Sequence, residues 1–152
     1  SLIETPEAFV TTCEQLTILA KLFDANAIAS IESRGFIFAG SIAKDLSLPF
    51  ILARKPGKLP NPTFTRDFDL EYGSTSIEIQ KNTILNKTDR VVIVDDLVAT
   101  GGTAIACAEL ITDNFDITKE NILILAVIDL PNLGGSNLIK QQGYKVETLV
   151  SY

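Results

Sequence analysis

The segment VVIVDDLVATGGTA, Val91 to Ala104, sets two adjacent aspartates at the end of a strand that reads as buried, with a glycine pair close behind. Neighbouring carboxylates repel each other, and a core strand gains nothing from them. Asp95 and Asp96 therefore suit either vicinal sugar hydroxyls, bound bidentately, or a hard cation such as Mg2+ held through oxygen. Thr100-Gly101-Gly102-Thr103 then opens a helix. Glycines let backbone N–H groups converge, the helix N-terminus adds roughly half a positive charge, and two hydroxyls add donors. That combination suits a phosphate. Acids about one sugar's length before a phosphate cradle describe a ribose-5-phosphate pocket. The alternative reading is a tight βα turn beside a solvated acidic strand end.

Three rival motifs fail on spacing. A nucleotide-binding P-loop needs glycine five residues before Gly57-Lys58, where Leu52 stands, and Ser or Thr where Leu59 follows. A phosphotransfer receiver carries its paired acids near the N-terminus. A phospho-aspartate hydrolase needs acids two apart, and Leu97 lies two after Asp95.

A second charged cluster stands out against the background. The chain of 152 residues carries 13 Lys+Arg against 19 Asp+Glu, a formal charge of -6. That balance argues against broad nucleic-acid or anionic-membrane binding, which needs a basic face. Yet RKPGKLPNP (54–62) concentrates Arg54, Lys55 and Lys58, either to meet a polyanion or as a solvated basic loop. The chain has no His, which excludes a Ser-His-Asp triad, a Cys-His dyad and a His-ligated zinc. With no Met, it is expected not to begin at its native start.

The elements that must position these groups can be read in order. Thr5-Pro6-Glu7 is a helix start with a hydroxyl cap, and Phe9, Cys13, Leu16, Ala20 and Phe23 form one apolar stripe ending near Asp24. AIASI (27–31) is a short buried strand that runs into Glu32-Ser33-Arg34-Gly35 and a small-residue helix to about Leu46. FILAR (50–54) is the next strand. FTRDFDLEYGSTSIEIQ (64–80) alternates on both sides of Tyr72-Gly73-Ser74-Thr75, predicting a half-exposed hairpin. A buried strand over 91–95, a helix from Thr103 to about Phe115, a strand over 121–130, a short helix after Gly134-Gly135-Ser136 and a strand over 144–150 complete the chain. Strands alternating with helices imply βαβ units and a mostly parallel sheet covered on both faces, with ligands at the strands' carboxyl ends. Length, 46% hydrophobic and 21% charged residues point to one soluble globular unit over residues 1–152. Its flexible part is expected over about 55–80. No run of 18 apolar residues and no charged-then-apolar leader is present. Cys13 and Cys107 are expected as buried free thiols of a reducing compartment.

VVIVDDLVATGGT resembles the phosphoribosyl-pyrophosphate (PRPP) binding motif of the type I phosphoribosyltransferase family. IESRGFIFAGSIAKDL and RKPGKLPNPTFTRDFDLEYGSTSIEIQKNTI are similar, in order and spacing, to the adenine-using branch of that family, and the likeness runs from PEAF (6–9) to the final strand. The resemblance implies the type I phosphoribosyltransferase α/β fold, a mostly parallel sheet flanked by helices with a protruding antiparallel hairpin. It implies that Asp95 and Asp96 hold the ribose hydroxyls, directly or through Mg2+, and that Ala99, Thr100, Gly101, Gly102 and Thr103 cradle the 5-phosphate. Glu32, Ser33, Arg34 and Gly35 become the pyrophosphate loop, often with a cis peptide, and Arg34 faces pyrophosphate and the purine. Arg54, Lys55 and Lys58 neutralise pyrophosphate. Glu71 and Tyr72 lie on a mobile hairpin over the site, with Glu71 as acid/base at the purine imidazole ring.

The activity so implied is adenine plus PRPP giving AMP and pyrophosphate, Mg2+-dependent, by a cytoplasmic homodimer in purine salvage, with Glu71, Arg34 and Asp96 carrying the chemistry. A relative using xanthine, guanine, hypoxanthine or orotate is one alternative; a PRPP-sensing module without catalysis is another. The family carries an N-terminal hood before the PEAF helix, and this chain starts at Ser1-Leu2-Ile3, so the sequence is expected to lack the hood and to leave base choice least determined.

Overall fold

The computed structural model of the chain describes residues 1–70 and 72–152. In chain order it comprises α1 (Pro6–Leu22), β1 (Ala27–Ile31), α2 (Gly35–Leu46), β2 (Phe50–Ala53), β3 (Thr63–Asp69), β4 (Ser74–Gln80), β5 (Val91–Val98), α3 (Gly102–Phe115), β6 (Ile122–Asp129), α4 (Gly135–Gln141) and β7 (Lys145–Ser151). Short 3-10 turns occupy Leu2–Glu4, Lys119–Asn121 and Pro131–Leu133.

Apolar runs without alternation form strands covered on both faces. AIASI, VVIV and ILILAV do so as the heart of β1, β5 and β6, and every residue of β1 is buried. The five-stranded sheet has the order β2-β1-β5-β6-β7, with all four pairings parallel. Strand residues facing one side, such as Ile28, Val92 and Leu125, build one core layer with Leu16 of α1 and Ile42 of α2. Strand residues facing the other side, such as Ile93 and Ile124, build the second layer with Leu110 and Ile111 of α3. The hairpin of β3 and β4 pairs antiparallel from Thr63↔Gln80 to Asp69↔Ser74. Its alternation inserts Ile77 and Ile79 into the α3 layer and leaves the opposite face wet.

β1 connects to β2 on one side, while the sheet continues from β1 to β5 on the other. A crevice opens where strand order reverses in this way, at the strands' carboxyl ends. Arg90 fastens the opposite end of the sheet: its Nε donates to Phe23 O at 2.7 Å, its Nη1 donates to Asn121 Oδ1 at 2.8 Å, and its guanidinium lies 4.0 Å from the Phe23 ring centre.

Two local expectations are corrected. β5 does not end at Asp95 but runs to Val98, because Asp95, Leu97 and Val98 still pair with Ala126, Ile128 and Asp129 of β6. Thr5 stands at the start of α1, yet its hydroxyl donates to Ser1 O at 3.1 Å rather than capping the helix. Both cysteines are free and buried as expected. Among the described residues no helix is long and apolar enough to cross a membrane.

Candidate active site

β1 and β5 deliver their carboxyl ends to one pocket of about 260 Å3, lined by Ile31 to Arg34 from the first loop and by Asp95 to Gly101, Thr103 and Ala104 from the second. Of the residues singled out in the sequence, the pocket brings together Glu32, Ser33, Arg34, Asp95, Asp96, Ala99, Thr100, Gly101 and Thr103. Gly102 adjoins the pocket as the first residue of α3.

The two loops meet because Gly35 has no side chain. A β-carbon there would lie 2.6 Å from Ser30 Oγ and 3.0 Å from Val94 O. Beneath that contact, fully buried Ser30 donates its hydroxyl to Val94 O at 2.6 Å, tying β1 to β5 directly under the aspartates. The peptide between Glu32 and Ser33 is cis, as the resemblance implies.

The carboxylates differ in environment. Asp96 Oδ2 pairs with Arg34 Nε at 2.8 Å, across the crevice. Asp95 Oδ1 accepts the Asp96 backbone N–H at 2.8 Å. Burial, with the neighbouring Asp96 carboxyl adding to it, pushes the Asp95 carboxyl up to about 8. A carboxyl so desolvated is held for a specific partner rather than for bulk water.

The phosphate-type cradle is backed by a segment that sequence reasoning read only as a helix lead. Gly101 adopts φ 87° at the start of α3. Behind it, Gly135 N–H donates to Ala99 O at 3.0 Å. A β-carbon on Gly135 would lie 2.7 Å from Gly101 N, and one on Gly101 would lie 2.9 Å from Gly135 O. The loop and the start of α4 are packed backbone on backbone. The available signal was a second strand–Gly-Gly–helix junction, Gly134-Gly135, following β6.

The basic loop is placed apart. Arg54, Lys55, Lys58 and Tyr72 do not line the pocket. Glu32 turns toward that loop instead: its Oε1 accepts the Lys55 N–H at 2.6 Å, and Arg54 Nε stands 3.3 Å from the same oxygen without hydrogen-bond alignment. Glu78 reinforces the clamp, accepting the Gly57 N–H at 3.1 Å, while its backbone pairs with Arg54. Lys55, Lys58 and Tyr72 are exposed. Glu71 lies outside the described residues.

Beside the Arg34–Asp96 pair lies a second recess of about 200 Å3, whose walls are mainly apolar: Leu2, Ile3, Ile37, Phe38, Val127 and Ile128. A charged pocket therefore adjoins an apolar recess, with Arg34 and Asp96 lining both.

The comparisons with known proteins agree with this geometry. Residues 16–128 match the family model of the phosphoribosyl transferase domain. The chain is 43% identical over 152 residues to adenine phosphoribosyltransferase of Pelagibacter ubique, covering all of this chain and 85% of that one. It superposes on adenine phosphoribosyltransferase of Giardia lamblia, solved with 9-deazaadenine, with a TM-score of 0.92 at 33% identity, covering 99% of this chain and 83% of the other. The enzyme of the same name from Thermoanaerobacter pseudethanolicus gives 0.89 at 36% identity, with 99% and 84% covered. With a family model over residues 16–128 and relatives more than 40% identical over the whole chain, the chain belongs to the adenine phosphoribosyltransferases of the phosphoribosyl transferase family.

Proposed function

We propose that the protein transfers the phosphoribosyl group of PRPP to adenine, forming AMP and pyrophosphate. The observation that carries this reading is the meeting, in one pocket, of the Asp95–Asp96 pair, the Ala99–Thr103 turn and Arg34. In the reaction the bond from C1 of ribose to pyrophosphate oxygen breaks, a bond to a purine nitrogen forms, and that nitrogen loses its proton. The sugar passes through an oxocarbenium-like state, so the protein's work is to position both partners, neutralise the leaving group and exclude water.

Thr100, Gly101, Gly102 and Thr103 would hold the 5-phosphate at the N-terminus of α3, where backbone N–H groups and the helix dipole favour an anion. Asp95 and Asp96 would hold the ribose hydroxyls. Ser33, Arg34 and Gly35, with Glu32 anchoring the basic loop, would receive the pyrophosphate, helped by Arg54, Lys55 and Lys58. The apolar recess beside Arg34 would take the purine ring, and Glu71 would move the proton at its imidazole edge, with Tyr72 beside it on the hairpin.

The donor set fits Mg2+ in a particular way. Asp95 and Asp96 offer hard oxygens, and among the described residues no cluster of three or more ligating side chains forms a complete cage. Mg2+ commonly takes one or two carboxylates and completes its shell with substrate phosphates. When bound with PRPP it would neutralise charge on the departing pyrophosphate. Assembly as a homodimer and a cytoplasmic location in purine salvage complete the proposal.

A panel of adenine, hypoxanthine, guanine, xanthine and orotate, each with PRPP and Mg2+, tests it. AMP and pyrophosphate from adenine alone is the expected result. Turnover of another base instead would overturn the choice of adenine, and PRPP binding without any turnover would identify a sensing module.

A further inference from the structure

The β3–β4 hairpin leans along the full length of α3, and its contacts with the helix include a directional one. Alternate residues of β3 face the helix. Phe64 meets Phe115 edge-on, with ring centres 5.5 Å apart. Arg66 donates Nη1 to Asp113 Oδ2 at 2.8 Å and Nη2 to Glu109 Oε2. Phe68 and Asp69 lie against Gly102: the Phe68 ring would be 3.8 Å, and Asp69 O 3.7 Å, from a β-carbon there. The stem therefore runs from the carboxyl end of α3 to its first residue, which adjoins the phosphate cradle.

Glu109 and Asp113 stand four residues apart on α3, on one face of the helix, where like charges repel. The half-buried Arg66 guanidinium sits between them and spends one nitrogen on each. The aromatic contacts above and below are apolar and tolerate sliding. A forked guanidinium held by two carboxylates does not, since its planar donors fix direction as well as distance. An isolated exposed ion pair would contribute little; a network that joins a strand to a helix can set their register.

We propose that Arg66 is a positioning residue, a latch that fixes the hairpin against α3 so that Phe68 and Asp69 stay beside the phosphate cradle. The inference rests on the reading of this pocket as a phosphoribosyl-transfer site. None of Arg66, Glu109 and Asp113 lines that pocket. Their effect on the reaction passes through the placement of the hairpin.

The test uses the full-length enzyme and three variants: Arg66→Glu, Arg66→Gln, and a swap combining Arg66→Glu with Glu109→Lys and Asp113→Lys. Steady-state kinetics and hydrogen exchange across residues 63–80 are read for each. Arg66→Glu is expected to lower kcat roughly 2- to 30-fold, the range for residues that couple a remote element to a site, with KM for PRPP unchanged. Exchange in the stem should rise. The swap should recover part of both, because a carboxylate between two ammonium groups restores the attraction with its charges exchanged, and Arg66→Gln should fall between wild type and Arg66→Glu. Wild-type kcat and exchange in a folded Arg66→Glu or Arg66→Gln protein would overturn the latch, as would a folded swap that recovers neither. A wild-type enzyme inactive with every base would overturn the transfer reading instead, and the exchange measurements would still decide the latch.

Discussion

Arg34 and Asp96 bridge the crevice between β1 and β5, with Nε 2.8 Å from Oδ2. One side chain comes from the loop after β1 and the other from β5 itself, so the pair exists only where strand order reverses. Each neutralises the other while the site awaits substrate. In the proposed reaction PRPP would offer both a better partner, hydroxyls and metal to Asp96 and pyrophosphate to Arg34. On that reading the pair would serve as a preformed exchange point.

Asp96→Asn keeps the shape of the side chain and removes its charge. Hydrogen bonds to charged groups contribute about 1.5–3 kcal/mol, so PRPP affinity should fall roughly 10- to 150-fold. Calorimetry in magnesium buffer measures this. Near-normal affinity in the variant would place the ribose elsewhere.

Glu71→Ala should separate chemistry from binding. PRPP should bind as before, and turnover should drop by about 10^2 to 10^4, the usual range for a general acid/base. Isothermal binding beside single-turnover rates distinguishes the two. A wild-type rate would remove Glu71 from the chemistry.

Asp95 sets a pH dependence of stability with a definite sign. Its carboxyl, packed near Asp96, Arg34 and the buried Cys107 thiol, is raised from 3.8 to about 8 by burial above all. Between those values the folded chain keeps a proton that the unfolded chain releases. Stability of the metal-free protein from this group is therefore lost as pH rises from about 4 through 8, and levels off above. Asp95→Asn has no proton to release, so thermal melts in chelator should show a flatter profile and a relative gain at alkaline pH. An unchanged slope would contradict the desolvation of the half-buried Asp95 carboxyl.

Gly135→Ala should injure the cradle from behind. The added methyl would sit 2.7 Å from Gly101 N and closer still to Ala99 O. Forcing a group into such a contact typically costs about 1–3 kcal/mol. Either the loop shifts, raising KM for PRPP by roughly 5- to 150-fold, or the protein loses that much stability; melts and kinetics read both. A variant unchanged in both would show that the loop does not need this backing.

Much of the site was legible because its residues are close in sequence. Asp95 to Thr103 form one strand–turn–helix unit, and local spacing alone set acids and glycines at the distance a sugar phosphate would require. The order of elements was legible for the same reason: period and punctuation are local properties. The extension of β5 to Val98 was not, since Asp95 and Asp96 look like a strand end until β6 supplies partners for the residues around them.

What the sequence by itself determined was the alternation of strands and helices, the chemistry of the carboxylate pair and glycine turn, and the family to which their pattern belongs. The tertiary structure alone decided the partners that lie far apart along the chain: Arg34 on Asp96, Glu32 turned to the basic loop, Gly135 behind Ala99, and Arg66 forked between Glu109 and Asp113. The physical reason is that period and turn chemistry act between neighbours, whereas a charge or a missing β-carbon acts on whatever the fold brings within a few ångströms of it.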